Sequence, residues 1–595
     1  MSERTEKHLS AQPVAASSVP PAARRPVGIT KGPGEQVHQY TFISRDHEQV
    51  LKNGEYVYYE LPLSAAVLGT SANSQHAPNS KVPEETRKVL GRILKRVPVQ
   101  LYPDTFLAEP EIPPSQVAAM VGYDATANEL FELHVAIMGY YDEGLGSFVN
   151  PWIPPQSGRP IYLAEDAFLA RVLSKRQTGA IGAAQIGSLL TRQDGAVPVV
   201  LDVKELVSTH LAIIASTGAG KSYLASVILE ELMRPNNRAC VLVIDPHGEY
   251  TTLDQIANRP EFQNGNGRNA YQARVQVYKH DQVKVRISTL TLGDLRYLLP
   301  EMTEKQHYLL TKAYSRLMRS PKGKTAWTVE DLKKAVYEAG SEDTEDGQDN
   351  SGTIGALSWR LEGRFQDNFV FDNSMHLDLQ EIFHPGQCTI LQLNEIDDRD
   401  QQVVVATLLR RLNKARMDTE RGKVHASDES YLPYPAFLLL EEAHHFAPAG
   451  GDVVTTRILK QILAEGRKFG IGVGLISQRP GKLDQDVLSQ CQTQCIMRIV
   501  NEVDQKNVAT AIEGVGRDLL GNLPALSKGQ VIVAGSAVNT PLLCRVRSRL
   551  TPHGGESKDA PDLWQQYFSD GSQDARRREG AILYRDDRPF SIFKS

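Results

Sequence analysis

Short apolar runs alternate with amphipathic segments over the second half of the chain. Beyond His210, apolar runs such as LAIIA, CVLVID, CTILQL, AFLLLE and GVGLIS are separated by segments whose apolar residues recur at helical spacing. This alternation is typical of a parallel sheet with helices on both faces. It predicts an α/β domain over residues 201–550, followed by a C-terminal extension at residues 551–595.

A helical insertion is predicted to divide this domain at about residues 289–365. Its acidic stretch, GSEDTEDGQDNSG, is predicted to be a solvated loop. The stretch does not fit a calcium-binding loop, because Glu342 and Thr344 stand where that loop has Asp and then Asp or Asn.

The first part of the chain has a different pattern. Residues 26–200 contain short alternating segments, including QYTFIS, GEYVYYEL, ELHVAIMGYY and PIYLA, punctuated by Gly and Pro. Such spacing predicts a small β-barrel or sandwich, interrupted by a more helical or irregular piece around residues 82–116. Residues 1–25 are rich in Ala, Pro and Ser with little to bury, and we expect a disordered tail.

Composition and charge limit the classes of protein to which the chain can belong. The chain has 595 residues, 41% hydrophobic and 23% charged, as expected for a globular protein of two or three domains. Its net charge is −5, so a nucleic-acid surface would have to be a local patch. Neither a membrane span nor the apolar core of a signal peptide is evident, and we expect a cytoplasmic protein without membrane contact. The five cysteines lie in apolar runs and indicate buried thiols, not a zinc site.

The most specific motif is STGAGKS, which stands between the run LAIIA and a helical segment. In this strand, loop and helix context, backbone N–H groups and the helix N-terminus bind the β-phosphate of a nucleotide. Lys221 would bridge the β- and γ-phosphates, and Ser222 would reach Mg²⁺. Ala215 replaces the usual first glycine, which a small residue with negative φ tolerates. The predicted ATP-binding residues are Ser216, Thr217, Gly218, Ala219, Gly220, Lys221 and Ser222.

Two adjacent carboxylates, Glu441 and Glu442, end the apolar run AFLLL. A nucleotide on the phosphate-binding loop needs one acid on a neighbouring strand for the magnesium shell, and another group to orient or deprotonate the attacking water. We predict that Glu441 holds Mg²⁺, mostly through water, and that Glu442 acts on the attacking water. A solvated strand end is the alternative. His444 and His445 lack metal-ligand spacing, and we expect a helix-start or surface role for them.

The segment EGRKFGIGVGLISQRP supplies two further candidates. Gln478 follows a strand next to the acid strand, where a polar side chain can sense the γ-phosphate. Arg467 stands in the last turn of a predicted helix, where it either complements the helix dipole or acts as an arginine finger for a neighbouring subunit's nucleotide. LSKGQ at residues 526–530 is similar to the ABC-type ATPase signature, but it follows the acid strand instead of preceding it, which excludes that class.

Together, STGAGKS, VLVIDPHGEY, LLLEEAHHFAP, EGRKFGIGVGLISQRP and LSKGQVIVAG resemble the HerA family of hexameric DNA translocases, within the HerA/FtsK group of RecA-like ATPases. The resemblance extends upstream through VGIT and NGEYVYYEL, and covers about residues 26–550. It implies a RecA-like P-loop ATPase domain with a helical insertion, preceded by a small N-terminal β-barrel. It also implies a homo-hexamer with ATP at the subunit interfaces and DNA in the central channel.

The resemblance also implies individual roles. It assigns Glu442 as catalytic acid/base, Arg467 as the finger acting in trans and Gln478 as sensor. Asp245, in VIDPHGEY, would lie near the site and support metal or water. Relatives often have Asp where this chain has Glu441. The barrel lacks an identifiable active site, and we assign it to ring assembly and partner docking.

The implied function is ATP-driven DNA translocation or unwinding with a partner nuclease of NurA type, in DNA end processing during double-strand break repair. Some relatives pair instead with nuclease or NAD-consuming effectors in antiphage defence. An ATPase ring that serves as scaffold or regulator of such an effector is therefore the alternative. A segregation or conjugation pump of the FtsK kind is disfavoured, because such pumps usually carry membrane anchors.

Overall fold

The computed structural model describes most of the chain outside the two ends. The described residues are 25–32, 37–46, 48–62, 86–99, 116, 129–265, 270–321, 323, 326–345, 351–451, 453–511, 516–552, 560–561 and 564–565. Nearly all of the tail, for which disorder is predicted, therefore lies outside the described residues. The same is true of nearly all of the C-terminal extension.

The N-terminal part forms a closed β-barrel. Its strands are β1 (Gly28–Thr30), β2 (Gln39–Ser44), β3 (Tyr56–Pro62), β4 (Thr86–Pro98), β5 (Phe131–Asp142), β6 (Ser147–Val149) and β7 (Pro160–Leu163). The order is β2-β1-β7-β3-β4-β5, and β5 pairs back to β2, which closes six strands; β6 extends β5. Alternation along β2 turns Tyr40 and Phe42 into the barrel, where the rings of Tyr40 and Tyr59 pack edge to face at 5.7 Å.

Strand β4 corrects one prediction. The prediction of a more helical or irregular piece around residues 82–116 is wrong over residues 86–98, which form a 13-residue strand. Strands β3 and β5 pair with β4 on both sides, and Val89 and Ile93 of β4 pack in the barrel core. At Gly91 the strands approach so closely that a Cβ would lie 2.5 Å from Val135 Cγ1.

A second, eleven-stranded sheet forms the core of the larger domain. Its order is β14-β17-β11-β18-β19-β10-β20-β21-β22-β8-β9, parallel from β14 to β20 and antiparallel beyond. The remaining strands form two short ribbons, β12–β13 and β15–β16. The bounds are β8 (Ala183–Leu189), β9 (Pro198–Asp202), β10 (Leu211–Ile214), β11 (Cys240–Asp245), β12 (Gln263–Asn264), β13 (Tyr271–Gln272), β14 (Arg274–Tyr278), β15 (Val285–Arg286), β16 (Phe371–Asp372), β17 (Gln387–Gln392), β18 (Ala436–Leu440), β19 (Ile471–Ser477), β20 (Thr493–Ile496), β21 (Gln530–Gly535) and β22 (Leu542–Val546).

Strand β8 and the first residues of β9 fall within the range 26–200 that was predicted for the barrel, yet both strands belong to the larger sheet. Strand β8 pairs with β22, with Leu189 opposite Cys544, so residues from the two ends of the domain complete one edge together. A pairing between segments this far apart in the chain has no local sequence signal.

Helices cover both faces of the larger sheet. They are α1 (Asp166–Val172), α2 (Val203–Thr209), α3 (Lys221–Leu232), α4 (Leu292–Leu298), α5 (Glu304–Arg319), α6 (Val329–Glu345), α7 (Ser351–Phe365), α8 (Leu379–Ile382), α9 (Asp398–Glu420), α10 (Val454–Glu465), α11 (Gln485–Ser489), α12 (Glu502–Ala511) and α13 (Arg517–Leu520). Alternate residues of β11 enter opposite cores: Leu242 packs in one core with α9 and α10, and Val241 in the other with α3. None of the described helices is long and apolar enough to cross a membrane.

Helices α4 to α7 form the predicted helical insertion. The acidic stretch predicted as a loop is helical over residues 340–345, where it continues α6. Arg316 of α5 lies 3.1 Å from Glu338 and also pairs with Glu342, so these acidic side chains bind a neighbouring helix. The predicted fold class, an α/β RecA-like ATPase domain with a helical insertion after a β-barrel, is confirmed.

Candidate nucleotide-binding and catalytic site

The loop between β10 and α3 has the conformation of a phosphate-binding loop. Gly218 and Gly220 have φ values of 79° and 105°, which favour glycine, while Ala215 keeps a negative φ, as predicted. The Ser216 N–H donates to the Arg498 carbonyl at 3.0 Å, which anchors the loop to the segment after β20. No side chain caps α3 at Gly220, so the first N–H groups of this helix are available to an anion.

Lys221 lies between the two adjacent acids. Its amino group forms an ion pair with Glu441 and lies 3.3 Å from Glu442 Oε1. Strand β19 stands between β10 and β18, but all three strands are parallel, so their carboxyl ends meet at one edge of the sheet. Both glutamates are almost fully buried, which excludes a solvated strand end.

Burial and nearby charges shift the pKa values of the two acids in opposite directions. Burial raises the pKa of Glu441, and Lys221 and Tyr250 only partly oppose this rise. Burial also acts to raise the pKa of Glu442, but His444 and Lys221 outweigh it and lower this pKa to about 2. A pKa this low keeps Glu442 ionised at neutral pH.

His444 lies at the start of a short 3₁₀ helix, Ala443–His445, in keeping with the expected helix-start role, but it is a buried neighbour of Glu442 and not a surface residue. Its Nδ1 lies 3.2 Å from Glu442 Oε2 and 3.3 Å from Ser477 Oγ. The backbone of Glu442 has a φ of 48°, rare for a residue with a side chain, and its carbonyl accepts from the His445 N–H at 2.8 Å. This turn aims both carboxylates at Lys221.

Asp245 organises the loop that follows β11. Its carboxylate accepts hydrogen bonds from the N–H groups of Gly248 (2.8 Å), Glu249 (3.1 Å) and Tyr250 (3.2 Å). The Tyr250 hydroxyl in turn donates to Glu441 Oε2 at 2.7 Å. Asp245 thus reaches the acid pair through Tyr250, and its support of metal or water stays a prediction.

Gln478 connects the end of β19 to the phosphate-binding loop. Its Oε1 accepts a hydrogen bond from the Thr217 hydroxyl at 2.8 Å. A side chain that contacts the loop from the strand beside the acid strand is in a position to respond to a bound phosphate. Its role as sensor stays a prediction.

Arg467 lies apart from these residues. It is exposed on a 3₁₀ turn, Gly466–Phe469, after α10, and none of the described residues forms an ion pair with it. The turn is fixed close to β10: His210, just before that strand, bonds through Nε2 to the Leu463 carbonyl of α10 at 3.0 Å.

A magnesium-bound nucleotide fits these residues. The uncapped start of α3 offers N–H donors to phosphates, and Ser222 and Glu441 offer oxygen ligands of the kind that Mg²⁺ prefers. Sequence reasoning did not identify Tyr250 or the buried position of His444. It also did not identify Gly529, in the LSKGQ segment, whose N–H approaches the Ala219 carbonyl at 3.4 Å.

Comparisons with known proteins agree with this geometry. A family model described as the central domain of helicase HerA matches residues 184–412. A probable helicase of Methanocaldococcus jannaschii is 30% identical over 431 residues, which cover 71% of this chain and 77% of that protein. A probable DNA double-strand break repair helicase HerA of the same organism is 30% identical, over 64% of this chain and 79% of the relative.

Two further comparisons concern a second HerA helicase and a solved structure. The DNA double-strand break repair helicase HerA of Pyrococcus furiosus is 29% identical over 70% of this chain and 79% of its own length. The structure of VirB4 of Thermoanaerobacter pseudethanolicus aligns with 63% of this chain and 98% of its own, at 16% identity and a TM-score of 0.43. Because a curated HerA relative is 30% identical to this chain over 79% of its own length, this chain belongs to the HerA helicase family.

Proposed function

We propose that the chain is an ATP-driven DNA translocase or helicase that processes DNA ends during double-strand break repair. Membership of the HerA family supports ATP hydrolysis coupled to DNA translocation, and several relatives carry the name DNA double-strand break repair helicase. The structural observation that carries the proposal is Lys221 held between Glu441 and Glu442, because hydrolysis requires the phosphate anchor and the acids at one point.

Each residue of the site has a role in this proposal. The N–H groups of the phosphate-binding loop and Lys221 would bind the phosphates of ATP, with Ser222 and Glu441 beside Mg²⁺. Bound Mg²⁺ supplies charge neutralisation at the phosphates. Glu442, ionised and held by His444, would orient the attacking water. When Lys221 turns to the phosphates, its lowering of the Glu442 pKa weakens, so Glu442 becomes a stronger base when it must accept a proton.

We place the complete site at the interface of a homo-hexamer. The exposed Arg467 lies apart from Lys221 and has no ion-pair partner among the described residues, which suits a finger that reaches a neighbouring subunit's nucleotide. In this proposal DNA occupies the central channel of the ring. The barrel serves ring assembly and docks a partner nuclease of NurA type.

Two measurements test the function. DNA should stimulate ATP hydrolysis, and ATP should drive displacement of a labelled strand from a duplex. Hydrolysis without DNA stimulation, and without displacement, would contradict the translocase and favour an ATPase ring that regulates an effector. Isolation of the native complex addresses the partner: a co-purifying nuclease supports end processing, whereas an NAD-consuming enzyme would support a role in antiphage defence.

A further inference from the structure

A cavity of about 820 Å³ lies outside the catalytic site, between helices α4, α9 and α10. Four charged residues line it: Arg296 and Asp294 of α4, Arg410 of α9 and Arg457 of α10. The other lining residues are uncharged and include Tyr297 and Gln461. Three arginines face one aspartate, so the lining is positive although the chain as a whole is negative.

Two of the arginines form no ion pair with an acid among the described residues. Asp294 neutralises Arg410 at 2.6 Å. Arg296 is exposed and donates to the neutral hydroxyl of Thr311 at 2.6 Å, and exposed Arg457 forms no ion pair with any described residue. Two exposed guanidinium groups that line one cavity favour an anion with phosphate geometry, because each fork of N–H donors matches phosphate oxygens.

The walls of this cavity lead to the catalytic residues. The Tyr297 hydroxyl donates to the side chain of buried Gln402, and Gln402 Nε2 donates to the His445 carbonyl at 2.7 Å. His445 belongs to the turn that follows Glu442 and binds the Glu442 carbonyl. Helix α10, another wall, ends at the turn that carries Arg467.

We propose that this cavity binds phosphate groups of the DNA backbone and transmits their binding to Glu442 through Tyr297 and Gln402. The inference rests on the proposed function and names a surface that couples DNA to hydrolysis. DNA is the ligand that the charge pattern favours, because a backbone presents successive phosphates to two arginines on different helices. The coupling needs only a small shift of α4, since one hydrogen-bonded side chain separates Tyr297 from the catalytic turn.

Binding of a labelled DNA duplex to the full chain, measured over a range of salt concentrations, tests the site. Arg457→Ala and Arg296→Ala should each weaken binding and reduce the slope of log affinity against log salt by about 1, as expected for one lost phosphate contact. Arg457→Glu should weaken binding further. Arg319→Ala is the matched control, because Arg319 is exposed at the end of α5 and does not line the cavity. Equal affinity and slope in the cavity variants and this control would overturn the site.

Tyr297→Phe tests the coupling separately. It keeps the aromatic ring and both arginines but removes the hydroxyl that reaches Gln402. We expect DNA affinity near that of the wild type with several-fold weaker stimulation of ATP hydrolysis by DNA. Full stimulation would overturn the coupling. If the wild type itself neither binds DNA nor responds to it, the proposed function fails; a responsive wild type with unaffected variants refutes this inference alone.

Discussion

The amino group of Lys221 lies 3.3 Å from a carboxylate oxygen of Glu442, although the two residues are far apart in the chain. Lys221 starts the helix after β10, and Glu442 follows β18, with β19 between them in the sheet. The same amino group pairs with Glu441. The Lys221 amino group therefore connects the phosphate-binding loop with both acids. A change in the contacts of this group alters the surroundings of both Glu441 and Glu442.

Glu442→Gln should slow ATP hydrolysis by roughly 10²-fold or more, because it removes a positioned acid/base. Nucleotide binding should persist, since the loop and Lys221 are unchanged. Lys221→Ala should differ by weakening nucleotide binding itself. Equilibrium binding of a fluorescent ATP analogue, together with steady-state hydrolysis, distinguishes the two variants. Near-normal turnover of Glu442→Gln would move the catalytic role to Glu441.

Arg467→Ala should also hydrolyse ATP poorly, because a finger acting in trans can be worth roughly 10³-fold or more. Mixed under conditions of subunit exchange, Arg467→Ala and Glu442→Gln subunits should regain part of the activity. Some interfaces then combine an intact Glu442 with an intact Arg467. No rescue in demonstrated mixed oligomers would show that Arg467 acts within its own subunit or only supports the structure.

His444 should position Glu442 for catalysis. Loss of a polar contact to a buried charged group costs about 1.5 to 3 kcal/mol, so His444→Ala should lower kcat by roughly 10- to 100-fold. KM for ATP should change less, because His444 contacts Oε2 of Glu442, whereas Lys221 contacts Oε1. His444→Asn offers a nitrogen donor near the position of Nδ1 and should recover part of kcat. Equal kcat in both variants would limit His444 to a packing role.

Acid should destabilise the protein through His210. Burial lowers the pKa of this histidine to about 4, although its bond to the Leu463 carbonyl opposes the shift. Its Nδ1 accepts from the Val473 N–H at 3.1 Å, so a proton cannot be added there without breaking this bond. Neutral His210 stabilises the folded state fully above about pH 6.5, the pKa of histidine in the unfolded chain. This stabilisation is lost as the pH falls through about 4, which lowers the free energy of unfolding by about 3 kcal/mol.

Thermal unfolding midpoints of the wild type and of His210→Gln, measured across this pH range, test this prediction. His210→Gln cannot take up the proton, and we expect a lower midpoint than the wild type at neutral pH but a smaller loss between pH 6.5 and 4. Parallel losses in the two proteins would assign the acid sensitivity to other groups.

The sequence by itself determined the local parts of this protein. A glycine-rich loop between an apolar run and a helix is specified by neighbouring residues, because glycine supplies the positive φ at residues 218 and 220. Continuous apolar runs identified the parallel strands, since strands buried on both faces need no polar alternation. The two acids followed from the end of one such run, and their predicted roles at Mg²⁺ and water remain to be tested.

Only the tertiary structure decided which distant segments meet. Strand β4 is extended because β3 and β5 pair with it, and β8 joins the larger sheet because β22 offers it an edge. His444 is buried because β19 brings Ser477 beside it, and Tyr250 reaches Glu441 because Asp245 folds its loop back. These contacts depend on strand pairing between residues far apart in the chain, whose free energy comes from the assembled sheet and core and not from local conformational preference.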